Sequence, residues 1–286
     1  MTASDTQHPV VLRRIQLSTA AWQLLCEATS TILDLPATNS AGQAAAPGTE
    51  FLQLGSAQPA PLSGDAEAAA WSELKELGMS PAACEVALQW MGAVSILLTA
   101  PITVTARATY NGVSTTSVLG LRAGRGLAVH QRHISEVHGQ DSVVVGSEDS
   151  MEVTLFDMDN VWGATARLLP PLDVVQAASL AAPLPAGAAT SPGLSSYGPA
   201  EDANVALSVV TAAEGRPSRV WAGKWSVRGG QLYSVPTDGD ASPAHVTPVP
   251  SGHIAHELVA AVVVAHAALP VAANTAGGPA REGGGK

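Results

Sequence analysis

The sequence ITVTARATYNGVSTTSVLGL, residues 102–121, sorts itself onto two chemically different faces. At its centre Asn111-Gly112 is the pair that a two-residue type I′ turn demands, because both central positions of that turn take φ > 0. A turn there pairs Tyr110 with Val113, Ala108 with Thr115, Val104 with Leu119 and Ile102 with Leu121. Side chains alternate across a strand, so one face of this hairpin is mostly apolar. The other carries Thr103, Thr105, Arg107, Thr109, Ser114 and Thr116. An open polar face is ordinary in antiparallel sheets, and solvent alone accounts for one. A solvated face more often carries Lys and Glu, however, whereas small hydroxyls offer hydrogen bonds at little desolvation cost. The pattern points to recognition of another polypeptide rather than to chemistry.

A second hairpin turns at Gly229-Gly230, within residues 219–236. It places Trp221, Trp225, Val227 and Leu232 on one face and Lys224, Ser226, Arg228, Gln231 and Tyr233 on the other. Between and around the hairpins the periodicity predicts a strand over 10–16 and a helix capped by Ser18 with a stripe of Trp22, Leu25, Cys26, Thr29 and Ile32. Pro36 ends that helix, and 36–65 reads as loop with a short strand over 50–54. A short helix follows over 66–77, then one opened by Ser80 and Pro81 and running through Cys84, Ala87, Leu88, Met91, Val94 and Leu98. Leu127 and Val129 mark a strand, 143–145 is ambiguous, and Met151, Val153 and Leu155 mark another strand. Asp157 caps a helix over 158–169, stopped by Pro170-Pro171. The later part reads as a helix over 201–213, the second hairpin, a strand, and a Ser251-capped helix over 252–269.

The expected architecture is therefore α+β, a central and mainly antiparallel sheet flanked by helices. Its N-terminal half spans 1–176 and its C-terminal half 204–270, joined by a flexible Pro, Ala, Gly and Ser connector over 177–203 and followed by a disordered tail over 271–286. The halves share an order of elements without a sequence repeat.

The totals exclude several classes. A net charge of −10 and a pI near 5.1 argue against a phosphate-backbone partner. Cys26 and Cys84 make no disulfide framework, and both fall in predicted helices, which favours a reducing compartment. The opening MTASDTQHPVVLRR sets its arginines after the apolar residues, the reverse of a signal peptide. Residues 258–273 are too short to span a bilayer. A cytoplasmic location without membrane insertion is expected.

No nucleophile elbow or phosphate loop is present, and no cofactor is expected. Residues 120–126 hold glycines and two arginines, but they join two strands and read as a β-turn. His130, His133 and His138, near Glu136 and Asp141, form the most metal-like cluster. They fall in a predicted polar connection, where solvated histidines are the ordinary case, so no metal site is assigned. Glu148, Asp149, Glu152, Asp157 and Asp159 read as a solvated edge and a helix N-terminus. His253, His256 and Glu257 lie on a helix without the HExxH order.

WSELKELGMSPAACEVALQWMGAVSILLTAPITVTARA (71–108), SMEVTLFDMDNVWGATARLLPP (150–171), RVWAGKWSVRGGQLYSVPTDGD (219–240) and VTPVPSGHIAHELVAAVV (246–263) together resemble the EspG family. These are the cytosolic specificity chaperones of mycobacterial type VII (ESX) secretion, and an alanine-rich composition fits an actinobacterial source. The resemblance implies an α+β fold of two pseudo-symmetric halves and a non-enzymatic protein. It implies a partner too, the tip of a PE–PPE-like or WXG100-like helical heterodimer that the chaperone keeps soluble for secretion. Carried onto this chain, it selects Thr103, Thr105, Arg107, Thr109, Ser114 and Thr116, with Lys224, Arg228 and Tyr233. The alternatives are a metal-dependent enzyme built on His130, His133 and His138, or an oligomerising scaffold.

Overall fold

The computed structural model describes residues 11–34, 62–82, 84–138, 141–181, 201–213, 216–236 and 246–269, with side chains left out over 135–144 and 212–220. The predicted strand at 50–54, most of the connector and the C-terminal tail lie outside these residues. The chain forms an α+β fold around one antiparallel sheet of nine strands. Their order across the sheet is β1 (Arg13–Leu17), β5 (Asp141–Asp157), β4 (Arg125–His138), β3 (Val113–Arg122), β2 (Ile102–Tyr110), β6 (Ala203–Ala213), β7 (Arg216–Arg228), β8 (Gln231–Val235) and β9 (Thr247–Pro248).

Both hairpins have the predicted register. Asn111 and Gly112 take φ of 50° and 74°, and Val104 lies opposite Leu119. Gly229 and Gly230 take 55° and 74°, and Val227 lies opposite Leu232.

Each side of the sheet is covered over half its width. On one side α1 (Thr19–Ile32), α2 (Gly64–Glu76) and α3 (Leu88–Leu98) set Trp22, Leu25, Leu74, Val94 and Leu97 against Val118, Leu127, Val129, Met151 and Val153 of β3, β4 and β5. Gly120 permits this closeness, since a Cβ there would lie 2.6 Å from Leu97 Cα. On the other side α4 (Val161–Ala166), α5 (Asp173–Gln176) and α6 (His253–Ala267) bury Val161, Val175, Ile254, Leu258 and Val262 against Val104, Leu119, Leu207, Val209, Trp225 and Leu232. A buried side chain of this size contributes roughly 1.5–3 kcal/mol, so either layer is a substantial core.

The largest correction concerns residues 201–213. They form strand β6, not a helix, and β6 pairs with β2 along its whole length, from Tyr110 opposite Ala203 to Ile102 opposite Thr211. Ala203, Val205, Leu207 and Val209 are buried at every second position, which is strand periodicity. The alanines suggested helix, but alternation and a waiting sheet edge outweigh propensity.

Smaller departures have local causes. The helix expected from Ser80 starts at Leu88: Gly78, at φ 69°, ends α2, and the backbone N–H of Ala87 returns to the carbonyl of Met79. Cys84 consequently lies outside any helix, exposed and at φ 61°, while Cys26 is buried, which pushes its thiol pKa up. Ile32, placed on a buried stripe by its spacing, is 59 % exposed at the helix end.

Asp157 makes no cap bond. Its carboxylate pairs with Arg125 at 2.6 Å, and the predicted helix 158–169 shrinks to a 3-10 turn, Met158–Asn160, and α4. Gly252 at φ 83°, rather than Ser251, is the N-cap of α6, because residues 179–180 pass against it too closely for a Cβ. The 120–126 segment is the expected turn between strands, at Ala123-Gly124. No described helix is long and apolar enough to cross a membrane.

Candidate functional site

Beside α1–α3, on the same side of the sheet, the helices stop at β3. Among the described residues, none of β2, β6, β7 or β8 that points to this side belongs to either apolar cluster. Alternation along the strands and the registers between them bring all nine predicted residues onto this side. Arg107 and Lys224 are exposed; Thr105, Thr109, Ser114 and Arg228 are half-buried. Thr109 and Ser114 share a hydroxyl hydrogen bond of 3.1 Å across the hairpin.

Thr103, Thr116 and Tyr233 depart from the expectation of an open face, at 7 %, 4 % and 9 % exposure. Thr116 lies directly opposite Arg107, and Tyr233 opposite the buried Ser226, so burial extends into the face itself. Thr103 Oγ1 and Ser226 Oγ are buried with no hydrogen-bond partner among the described residues. A buried hydroxyl left unmade costs about 1–3 kcal/mol.

β6 supplies residues that the sequence reading missed. Asn204, Ala206 and Ser208 run down the middle of the face between the two hairpins. Their signal was the apolar and polar alternation of 203–210, read there as a helix. The registers set Arg107, Ala206 and Lys224 side by side on three adjacent strands. At about 4.8 Å per strand the two cations stand roughly 10 Å apart at the backbone, flanking a notch floored by alanine. Among the described residues neither has a carboxylate within ion-pair distance.

Of the histidine cluster, His130 and His133 do not converge, and the side chain of His138 lies outside the described residues. His130 and His133 lie in strand β4, not in a loop, because β4 and β5 extend as a long paired ribbon. Three residues apart on a strand, they point to opposite sides of the sheet, His130 with Ser117 and His133 with Ser114. His130 Nδ1 bonds Ser117 Oγ at 2.8 Å, and His133 Nδ1 bonds Ser147 Oγ at 2.8 Å. These two cannot ligate one ion. Burial lowers the pKa of both, which favours neutral rings. The acids read as a solvated edge are instead partly paired, Glu152 with Arg14 and Glu148 with Arg132.

Comparison with known proteins finds no matching family model and no matching curated protein.

Proposed function

We propose that the uncovered face of β2, β6, β7 and β8 is the docking surface of a non-enzymatic, cytosolic chaperone of the EspG kind. Its substrate is the tip of a PE–PPE-like or WXG100-like helical heterodimer destined for type VII (ESX) secretion. One observation carries the reading: Arg107 and Lys224 flank Ala206 on a hydroxyl-lined face with no carboxylate within ion-pair distance among the described residues, in a chain of net charge −10. Unpaired cations over small hydroxyls complement a helix tip that presents a carboxylate, and such complementarity sets partner choice. The placement of helices, α1–α3 on one side over β3–β5 and α5 and α6 on the other side over β2, β6, β7 and β8, supports an arrangement of two halves. β6 joins those halves within a single sheet.

The metal-enzyme alternative loses support from the opposed directions of His130 and His133. Co-expression with paired helical secretion substrates from the same locus tests the chaperone reading. A stable complex is expected with one pair. Charge reversal by Arg107→Glu should weaken it by about 2 kcal/mol or more. Failure of every such pair to form a complex, with self-association of this chain seen by light scattering, would favour the oligomerising scaffold instead.

A further inference from the structure

The opposite side of the sheet carries a feature that the docking reading does not use. Where α4–α6 end, the outer parts of β1, β5 and β4 are open, and a cleft of about 500 Å³ lies between them and the segment that follows α4. That size falls in the usual range for small-ligand sites, roughly 300–1,000 Å³.

The floor is polar. Gln16, Glu152 and His130 stand side by side on β1, β5 and β4, with Arg14 and Arg132 also lining the cleft. His130 is anchored through Nδ1 to Ser117, so its other ring nitrogen is left for the cleft. One wall is apolar, formed by Leu168, Leu169 and Pro170, and this wall begins with Arg167.

Charge counting gives the ligand's sign. Three guanidiniums line the cleft against two carboxylates. Arg14 pairs with Glu152, and Arg132 with Glu148 at 3.6 Å. The exposed Arg167 has no carboxylate within ion-pair distance among the described residues.

We infer that this cleft binds a single carboxylate carried on an apolar body, with Arg167 as its principal partner. A guanidinium fork matches a carboxylate in geometry, and the leucine and proline wall accepts the carrier. A dianion such as a phosphate monoester is disfavoured, because Glu148 and Glu152 already place two negative charges in the same space. A free small acid and an acidic side chain of an extended peptide offer the same group. The site stands on the other side of the sheet from the docking face and does not depend on it.

The test uses the full chain and follows arginine side-chain Nε–Hε signals by NMR. Sodium hexanoate, uncharged hexan-1-ol and the blocked peptide acetyl-Ala-Leu-Glu-Leu-Ala-amide are titrated in turn. Saturable shifts at Arg167 and Arg132 are expected from at least one charged probe and not from hexan-1-ol. Arg167→Gln should weaken that binding about tenfold or more with an unchanged unfolding midpoint. Saturation by hexanoate alone assigns a free acid, and saturation by the peptide alone assigns a protein segment. No saturable shift from either charged probe, equal shifts from hexan-1-ol, or undiminished affinity in Arg167→Gln would overturn the inference.

Discussion

The two half-faces of this sheet that no described helix covers are both polar, yet they manage charge in opposite ways. In the cleft beside α4, Arg14 and Arg132 each meet a glutamate of β5. On the proposed docking face Arg107 and Lys224 meet none among the described residues. An ion pair built into a surface is complete without a partner, whereas isolated cations on a flat face gain most when something else arrives. Exposure alone does not distinguish the two surfaces; internal pairing does.

Four measurements break or sharpen that contrast. The largest effect is expected behind the docking face. Val104 is 0 % exposed on the reverse side of β2, and Val104→Asp buries a charge with no partner. A loss of about 4 kcal/mol or more in denaturant unfolding is expected. Arg107→Glu, three residues along the same strand but on the open side, should change stability by less than about 0.5 kcal/mol. Comparable losses for both would mean that the open face is covered.

Leu207→Ala comes next. As a buried residue of a central strand, 2 % exposed, Leu207 should cost about 2–5 kcal/mol when truncated. A change within noise by thermal unfolding would contradict the position of β6.

A double-mutant cycle on Arg14→Gln and Glu152→Gln should return a coupling of about 0.2–1 kcal/mol, since Arg14 is half-exposed and the pair lies at the surface. Zero coupling would make the cleft's charges as independent as those of the docking face.

The smallest effect is a pH dependence. Burial lowers the pKa of His130 and His133 from the ordinary 6.5, so the folded state disfavours their protonation. The unfolded chain takes up more protons as pH drops below 6.5, and stability should fall through that window toward the folded pKa values. Unfolding midpoints at pH 7.5 and 5.5 measure the drop, and His130→Gln should reduce it. An undiminished drop in that variant would place its origin elsewhere.

The parts legible in the sequence were those fixed by backbone chemistry. Asn111-Gly112 and Gly229-Gly230 can turn only one way, and the turn sets which residues share a side. Each turn therefore sorts its own hairpin, six of the candidate residues onto one face of the first and Lys224, Arg228 and Tyr233 onto one face of the second, while only the pairing through β6 brings those two faces to the same side. The sequence predicts a helix over 201–213 because alanine and valine satisfy a helix count as readily as the alternation that strand β6 shows over 203–213. What settles them is the free edge of β2, a tertiary fact. Ser80-Pro81 imitates a helix start, but the loop closed by Ala87 onto Met79 takes those residues instead. The histidines were assigned to a loop because nothing local announces that β4 and β5 continue as a ribbon.

The placement of β6 also sets the order in which the molecule can assemble. Each hairpin closes over a two-residue turn, so its pairing is cheap in chain entropy. The seam between β2 and β6 joins segments about a hundred residues apart in sequence, and contacts of that span form slowly. Until that seam closes, the ribbon's bare backbone edge is exposed to any neighbouring strand. A nascent chain that stalls at this stage would be captured edge to edge by its own copies, so correct maturation is most vulnerable at residues 203–213.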